Sequence, residues 1–201
     1  MRSINDFELA KSILDKSGVI AFPTETVMGL GIYYNDYNAY DYLNKIKNRP
    51  NDKPYSLMLG AIEDIEKYAY VSSNAKKIID AFMPGSITIL LKAKKNIPGF
   101  VTHNTNIIGV RVPAMDEILE FINYCGKPLL VPSANKSGEK PAVNSSEVRK
   151  IFGKEVGFVF DGNCPGGIPS TIVDLTGEEV KILREGPISI NDINCVLLGG
   201  K

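Results

Sequence analysis

The stretch whose reading decides the fold is Gly18-Val19-Ile20-Ala21-Phe22-Pro23-Thr24-Glu25-Thr26-Val27-Met28-Gly29-Leu30-Gly31, residues 18–31. Val19 to Phe22 is an apolar run of strand length. Pro23 ends it, because proline has no N–H to give to a sheet ladder. Thr24, Glu25 and Thr26 then set two hydroxyls and a carboxylate just beyond the strand. Gly29 and Gly31 keep side chains away, so other groups can approach the backbone. In open α/β sheets ligands sit outside the carboxyl ends of strands, so the segment reads as a ligand site. A polar turn between two strands fits the same residues, and both readings stand at this point.

Outward from this segment, strands and helices alternate. Residues 5–16 read as a helix: Asn5 can cap it, Phe7, Ala10 and Leu14 share a face, and Gly18 follows its end. Asp36 can cap a helix carrying Ala39, Tyr42, Leu43 and Ile46. Its end is basic, with Lys45, Lys47 and Arg49, and Pro50 halts it. Residues 55–59, 87–93, 107–112, 129–131, 156–160, 171–175 and 180–183 read as strands. Helices are expected near 61–69 and 74–82, over 116–124, and from 144 to 152, where Asn144 and Glu147 have capping-box spacing. Ser189 can cap a last short helix. Some neighbouring strands have no helix between them. The expected fold is therefore α/β, one domain over 1–201, with a twisted mixed sheet and helices on its faces.

Composition narrows the class. The 23 basic residues balance 23 acidic ones, so no global field favours nucleic acid or membrane, and anion binding must come from a local cluster. Cys125, Cys164 and Cys195 lie far apart and His103 is the sole histidine, which argues against a zinc site and a disulfide scaffold. The N-terminus carries early acids and does not read as a signal peptide, and no apolar run nears the length of a membrane span. The expectation is a cytoplasmic enzyme or binding protein.

Three strands end in proline followed by a small hydroxyl residue: Phe22-Pro23-Thr24, Val131-Pro132-Ser133 and Ile168-Pro169-Ser170. Such loops can converge on one edge of a sheet. Cations stand beside rigid residues, with Arg49 before Pro50, Lys53 before Pro54 and Arg111 shortly before Pro113. Arginine suits planar, two-pronged recognition of carboxylate or phosphate. Lys45 reads as a solvated surface charge. Arg111 does not, because its strand, residues 107–112, is otherwise apolar, and a buried charge is costly without a partner. That partner is expected to be Glu25, Asp174 or a bound anion. There is no P-loop, Gly29-Leu30-Gly31 lacks the third glycine of a dinucleotide fingerprint, and a catalytic triad would need His103, which reads as a surface histidine. Lys45, Lys47, Arg49 and Lys53 could also serve an RNA-binding module, although zero net charge argues against strong non-specific RNA binding.

Several motifs resemble, in order and spacing, the YrdC-like threonylcarbamoyl-AMP synthases. They are PTETVMGLG, Lys47-Asn48-Arg49-Pro50 with Lys53-Pro54, GVRVP at 109–113, PSANKSG at 132–138, PSTIVD at 169–174 and LREG at 183–186. The resemblance spans nearly the whole chain. It implies a twisted sheet with a concave cationic cavity, and a nucleotidyltransferase that joins L-threonine, bicarbonate and ATP, the last as substrate with Mg2+. The products are threonylcarbamoyl-AMP and pyrophosphate. The threonylcarbamoyl group is destined for N6 of adenosine 37 in tRNA, bound directly or through a transfer complex. Carried over by residue, the resemblance implies threonine contacts from Thr26, Met58, Arg111, Ser133 and Ser170. It implies ATP contacts from Arg49, Lys53, Asn135, Val143 and Arg184. Lys47, Arg49 and Lys53 would supply charge stabilisation, with no protein nucleophile or base and no protein-held metal. Two departures stand out. The family usually has Tyr at Met28 and often His at Met58, so contacts to the amino acid can differ. A paralogue that makes a carbamoyl-adenylate from another substrate is the remaining alternative.

Overall fold

The segment at 18–31 folds as a hairpin. The computed structural model describes residues 4–49, 54–177 and 179–199. In it α1 (Ile4–Leu14) leads into β1 (Ile20–Phe22), and β2 (Gly29–Tyr33) returns antiparallel, with Ile20 opposite Gly31 and Phe22 opposite Gly29. Neighbouring side chains require the two glycines. A Cβ on Gly31 would lie 2.7 Å from Phe22 Cε1, and one on Gly29 would lie 2.6 Å from Val131 Cγ1. The polar turn is therefore a turn between two strands, and it also reaches the cleft described below.

The next elements are α2 (Tyr37–Lys47), β3 (Leu57–Met58), α3 (Ile65–Tyr68), β4 (Ala69–Tyr70), α4 (Ser73–Phe82) and β5 (Ile87–Ala93). They are followed by α5 (Gly99–Thr102), β6 (Ile107–Arg111), α6 (Asp116–Cys125) and β7 (Leu129–Leu130). The chain then continues through α7 (Ser145–Phe152), β8 (Phe158–Val159), β9 (Thr171–Asp174), β10 (Lys181–Arg184) and α8 (Ile190–Leu198). Three of the expected caps form where the sequence puts them, whereas Asn5 lies inside α1, which already begins at Ile4, and does not cap it. Asp36 accepts from Ala39 N–H, Asn144 from Glu147 N–H, and Ser189 makes a reciprocal capping box with Asp192. Glu147 does not complete its box on Asn144 N–H, because its carboxylate is taken by Val143 N–H and Asn144 Nδ2. The helix expected near 61–69 is a 3-10 turn at Ile62–Asp64, then the short α3. Ala69 and Tyr70 leave it to pair with β5. β4 and α5 carry too little periodicity to be read from the sequence.

Ten strands among the described residues make one mixed sheet in the order β10-β9-β5-β6-β3-β7-β2-β1-β8, with β4 beside β5. The pairs β1/β8, β3/β6 and β5/β9 are parallel, and the other ladders antiparallel. Strand side chains alternate between faces, and two separate apolar layers result. On one face Leu57, Ile89, Val110, Leu130 and Val173 pack with residues of α2, α4, α7 and α8, among them Leu43, Ile78, Val148 and Ile193. On the other, Phe22, Met58, Leu129 and Val131 pack with Leu14 of α1, Phe121 of α6 and Phe160. Met28 is fully buried in the first layer, so it contributes volume there and does not border the cleft.

Candidate active site

On the face covered by α1 and α6, the sheet beyond those helices holds a cleft of about 140 Å3. Its lining comes from strands and loops, with no residue of a helix: Val27, Arg49, Pro54, Tyr55, Ser56, Met58, Thr88, Arg111, Val131, Pro132, Ser133, Pro169, Ser170, Ile172 and Arg184. The pairs Ser56/Met58 and Ser170/Ile172 are each two residues apart and so point to the same side of their strands. The expectation of loops meeting at a sheet edge is corrected here. The prolines do bring Ser133 and Ser170 to the site, but much of its floor is a sheet face. Register makes this so: Met58 lies opposite Arg111 in the parallel pair β3/β6, and Ile172 lies opposite Thr88 in β5/β9.

Arg111 lines the cleft from β6. It is 7% exposed. Its Nη2 donates to Glu25 Oε1 at 2.9 Å and to Thr26 Oγ1 at 2.8 Å. Glu25, rather than Asp174, is therefore the counter-ion in the free protein. The turn that carries Glu25 is fixed twice: Thr24 Oγ1 donates to Val27 O at 2.7 Å, and Gly166 N–H donates to Glu25 O at 3.0 Å. Ser170 Oγ shares a hydrogen bond with Thr88 Oγ1, and Arg184 Nε and Nη2 donate to Ser170 O at 3.0 and 2.8 Å. Arg184 stands at the exposed mouth. Partial burial and the facing Arg111 cation lower its pKa, as expected of two cations set around space for an anion. Asn48 ends α2 in the left-handed region, at φ 50°, and turns Arg49 back over the Tyr55 ring at 4.7 Å.

Lys47 occupies a different place from the one expected of a phosphate-facing cation. It is 1% exposed and absent from the cleft lining. Its Nζ donates to Ser133 O at 2.5 Å and to Asn135 O at 2.7 Å. It thus holds the 133–135 loop from behind. Burial, then the cations Arg49 and Lys136, press its pKa down to about 7. Asn135 is likewise turned inward. Its Oδ1 accepts from Ser133 Oγ at 2.6 Å, and its Nδ2 donates to the carbonyls of Lys136 and Glu139. Val143 lies apart, in a second cavity of about 560 Å3 with Lys136, Lys140, Lys150 and Ile151. Thr26 is fully buried and meets the cleft only through Arg111. Lys53 lies outside the described residues. His103 is half-buried, with Nε2 2.9 Å from Tyr40 Oη, and is not a free surface histidine. Lys45 is exposed and paired with Asp41. With Lys47 buried as well, Lys45, Lys47 and Arg49 do not form a continuous basic surface among the described residues.

Two small hydroxyl residues of the cleft escaped the sequence reading, Ser56 and Thr88, as did the lining residues Val27, Tyr55 and Ile172. The only signal of Ser56 and Thr88 was a hydroxyl beside an apolar run, which many surface strands share. Among the described residues no group of three or more His, Cys, Asp or Glu could hold a metal, and no helix is long and apolar enough to cross a membrane.

The fold and cleft define a mixed α/β protein with three arginines and a set of hydroxyls lining one cleft. The chain belongs to the Sua5/YciO/YrdC family, described as telomere recombination, whose profile matches residues 12–186. A Methanocaldococcus jannaschii protein is 38% identical over 92% of this chain and 87% of its own. The structure of Pyrococcus abyssi Sua5 complexed with L-threonine matches with a TM-score of 0.90 at 30% identity, over 95% of this chain and 57% of that one. The P. abyssi protein is named threonylcarbamoyl-AMP synthase, and this chain spans little more than half its length. Escherichia coli YciO matches with a TM-score of 0.89 at 26% identity, over 96% and 95% of the two chains.

Proposed function

We propose that this protein is an L-threonylcarbamoyladenylate synthase. The observation that carries the reading is Arg111, buried in a strand yet lining a cleft between Ser133 and Ser170. A guanidinium so placed suits a carboxylate held by two prongs. The L-threonine complex of the P. abyssi relative supports an amino acid as the ligand.

The reaction then runs as follows. Threonine nitrogen and bicarbonate give N-carboxy-threonine and water. Its new carboxylate attacks the α-phosphate of ATP. An O–P bond forms, the bond to the β-phosphate's bridging oxygen breaks, and the electron pair leaves with pyrophosphate. The attack brings an anion toward a polyanion, so the chain's task is to place cations. Arg49 and Arg184, with Lys53, would face the phosphates while Arg111 keeps the threonine carboxylate. Mg2+, where required, would be held chiefly by the nucleotide's own phosphates and would neutralise part of their charge. The product would serve N6-threonylcarbamoyladenosine formation on tRNA, bound directly or through partner proteins in the cytoplasm.

The test is pyrophosphate release with ATP, bicarbonate and each amino acid in turn. Release should need L-threonine and bicarbonate together, with threonylcarbamoyl-AMP seen by mass spectrometry. Full-rate ATP turnover without bicarbonate sinks the reading. Met58 favours one second reading, since its thioether lines the cleft without offering a strong hydrogen bond. The same chemistry on another amino acid would appear in that screen as a different required substrate.

A further inference from the structure

The Arg111–Glu25 pair is one bond short on each side. Arg111 Nη2 is doubly engaged, by Glu25 Oε1 and Thr26 Oγ1. Arg111 Nε and Glu25 Oε2 are both buried, and neither has a hydrogen-bond partner. The side chains are 8% and 15% exposed. Buried polar groups are nearly always satisfied, so two orphans on one ion pair call for an explanation. They have opposite polarity: Nε–H is a donor and the carboxylate oxygen an acceptor. A simple carboxylate or a phosphate would answer only the donor. An α-amino acid answers both, since its carboxylate accepts and its ammonium donates, with one carbon between them.

We propose that Glu25 recognises the α-ammonium of the amino-acid substrate while Arg111 takes its carboxylate. The inference rests on the synthase reading for the class of ligand and adds the group that reads the amine. The site is organised in advance: the turn carrying Glu25 is pinned by Thr24 Oγ1 and by Gly166 N–H. Thr26 Oγ1 steadies the guanidinium between the two contacts. Specificity follows from the same geometry. A hydroxy acid of equal size offers Glu25 Oε2 one neutral O–H donor where the amino acid offers a cationic ammonium, so the pairing of opposite charges is lost.

Calorimetry on the full chain tests this, with L-threonine and with 2,3-dihydroxybutanoate, which keeps the carboxylate and side-chain hydroxyl but lacks the ammonium. The wild-type protein should prefer L-threonine. Glu25→Gln should weaken L-threonine binding by about 10- to 100-fold, as loss of a charged hydrogen bond implies, and shrink the preference over the hydroxy acid by a similar factor. Glu25→Asp, which keeps the charge, should retain part of the preference and covers the case in which Glu25→Gln does not fold. L-threonine binding by Glu25→Gln as tight as wild type overturns the inference. Tighter binding would show Glu25 to be a counter-ion displaced by the substrate's carboxylate. Wild-type protein that binds neither compound removes the synthase reading and this inference with it. Normal threonine binding with an unchanged preference in both variants removes this inference alone.

Discussion

Lys47→Met separates stability from site geometry. Burial and the neighbouring cations lower the lysine from 10.5 to about 7, a cost of about 5 kcal/mol at 1.36 kcal/mol for each pKa unit. Against this stand two hydrogen bonds to the carbonyls of Ser133 and Asn135, worth roughly 1.5–3 kcal/mol each when the donor is charged. The terms nearly cancel, so urea unfolding should show a net change of no more than about 2 kcal/mol. The site should change more. Ser133 loses the anchor behind its loop, and threonine affinity should fall by about tenfold or more, roughly one lost hydrogen bond. The pH dependence has a definite sign. Between about 7 and 10.5 the unfolded chain keeps the Lys47 proton and the folded chain has released it. Stability therefore rises with pH through that window, by up to about 1.36 kcal/mol per unit. The neutral amine still has two N–H groups, one for each carbonyl, so the anchor survives the titration. From pH 7.5 to 8.5 the wild type should gain about 1 kcal/mol that Lys47→Met does not. A stability loss above about 4 kcal/mol with normal threonine affinity would refute the reasoning, because Lys47 would then be a packing residue only.

Arg111→Lys keeps the charge but loses the fork, so threonine affinity should fall about 10- to 100-fold with ATP affinity nearly unchanged; a large drop in melting temperature with normal threonine dependence would show a core ion pair instead. Arg49→Ala should weaken ATP binding by a similar factor of about 10 to 100 while leaving the fold intact, and unchanged ATP affinity by calorimetry would remove Arg49 from the site. Gly31→Ala should destabilise the protein by about 1–3 kcal/mol, since its Cβ would press on Phe22 Cε1 at 2.7 Å. Urea unfolding that matches wild type would mean that the ring moves aside freely.

How far the sequence reaches depends on how local the cause is. The cap at Asp36 needs only the amide of Ala39, and the cap at Ser189 only Asp192, so both are legible. Arg111 is legible for a different reason: a charge inside an apolar strand needs a partner wherever that strand goes. Strand lengths are less legible. The 156–160 run pairs formally over Phe158 and Val159 alone, although Gly157 N–H and Phe160 N–H also bond to the carbonyls of Val19 and Ala21. Lys47 defeats the sequence because its burial depends on a loop 86 residues away. In one dimension it is the end of a basic run. The face occupied by the cleft is hidden for the same reason. Ser56, Thr88 and Ile172 meet only through inter-strand register, which no single strand encodes.

The placement of charge argues that this face was shaped for a ligand. Lys47 and Arg111 are both nearly inaccessible to water. Charges buried in this way rarely add net stability, and apolar replacements of equal size are often neutral or better. The opposite face of the same strands shows what packing alone requires: Leu57, Ile89, Val110 and Val173 fill it with no charge. The two cations act on one cleft from opposite sides. Arg111 lines it from the sheet, and Lys47 fixes Ser133 from behind the loop. Glu25 and Thr26 hold the guanidinium before any ligand arrives. Groups fixed in advance need little reorganisation when a charged substrate binds, and in a site shielded from water their fields act with less screening. Local choices that conflict with stability, gathered at one place on an otherwise consistent fold, are what a functional site leaves in a structure.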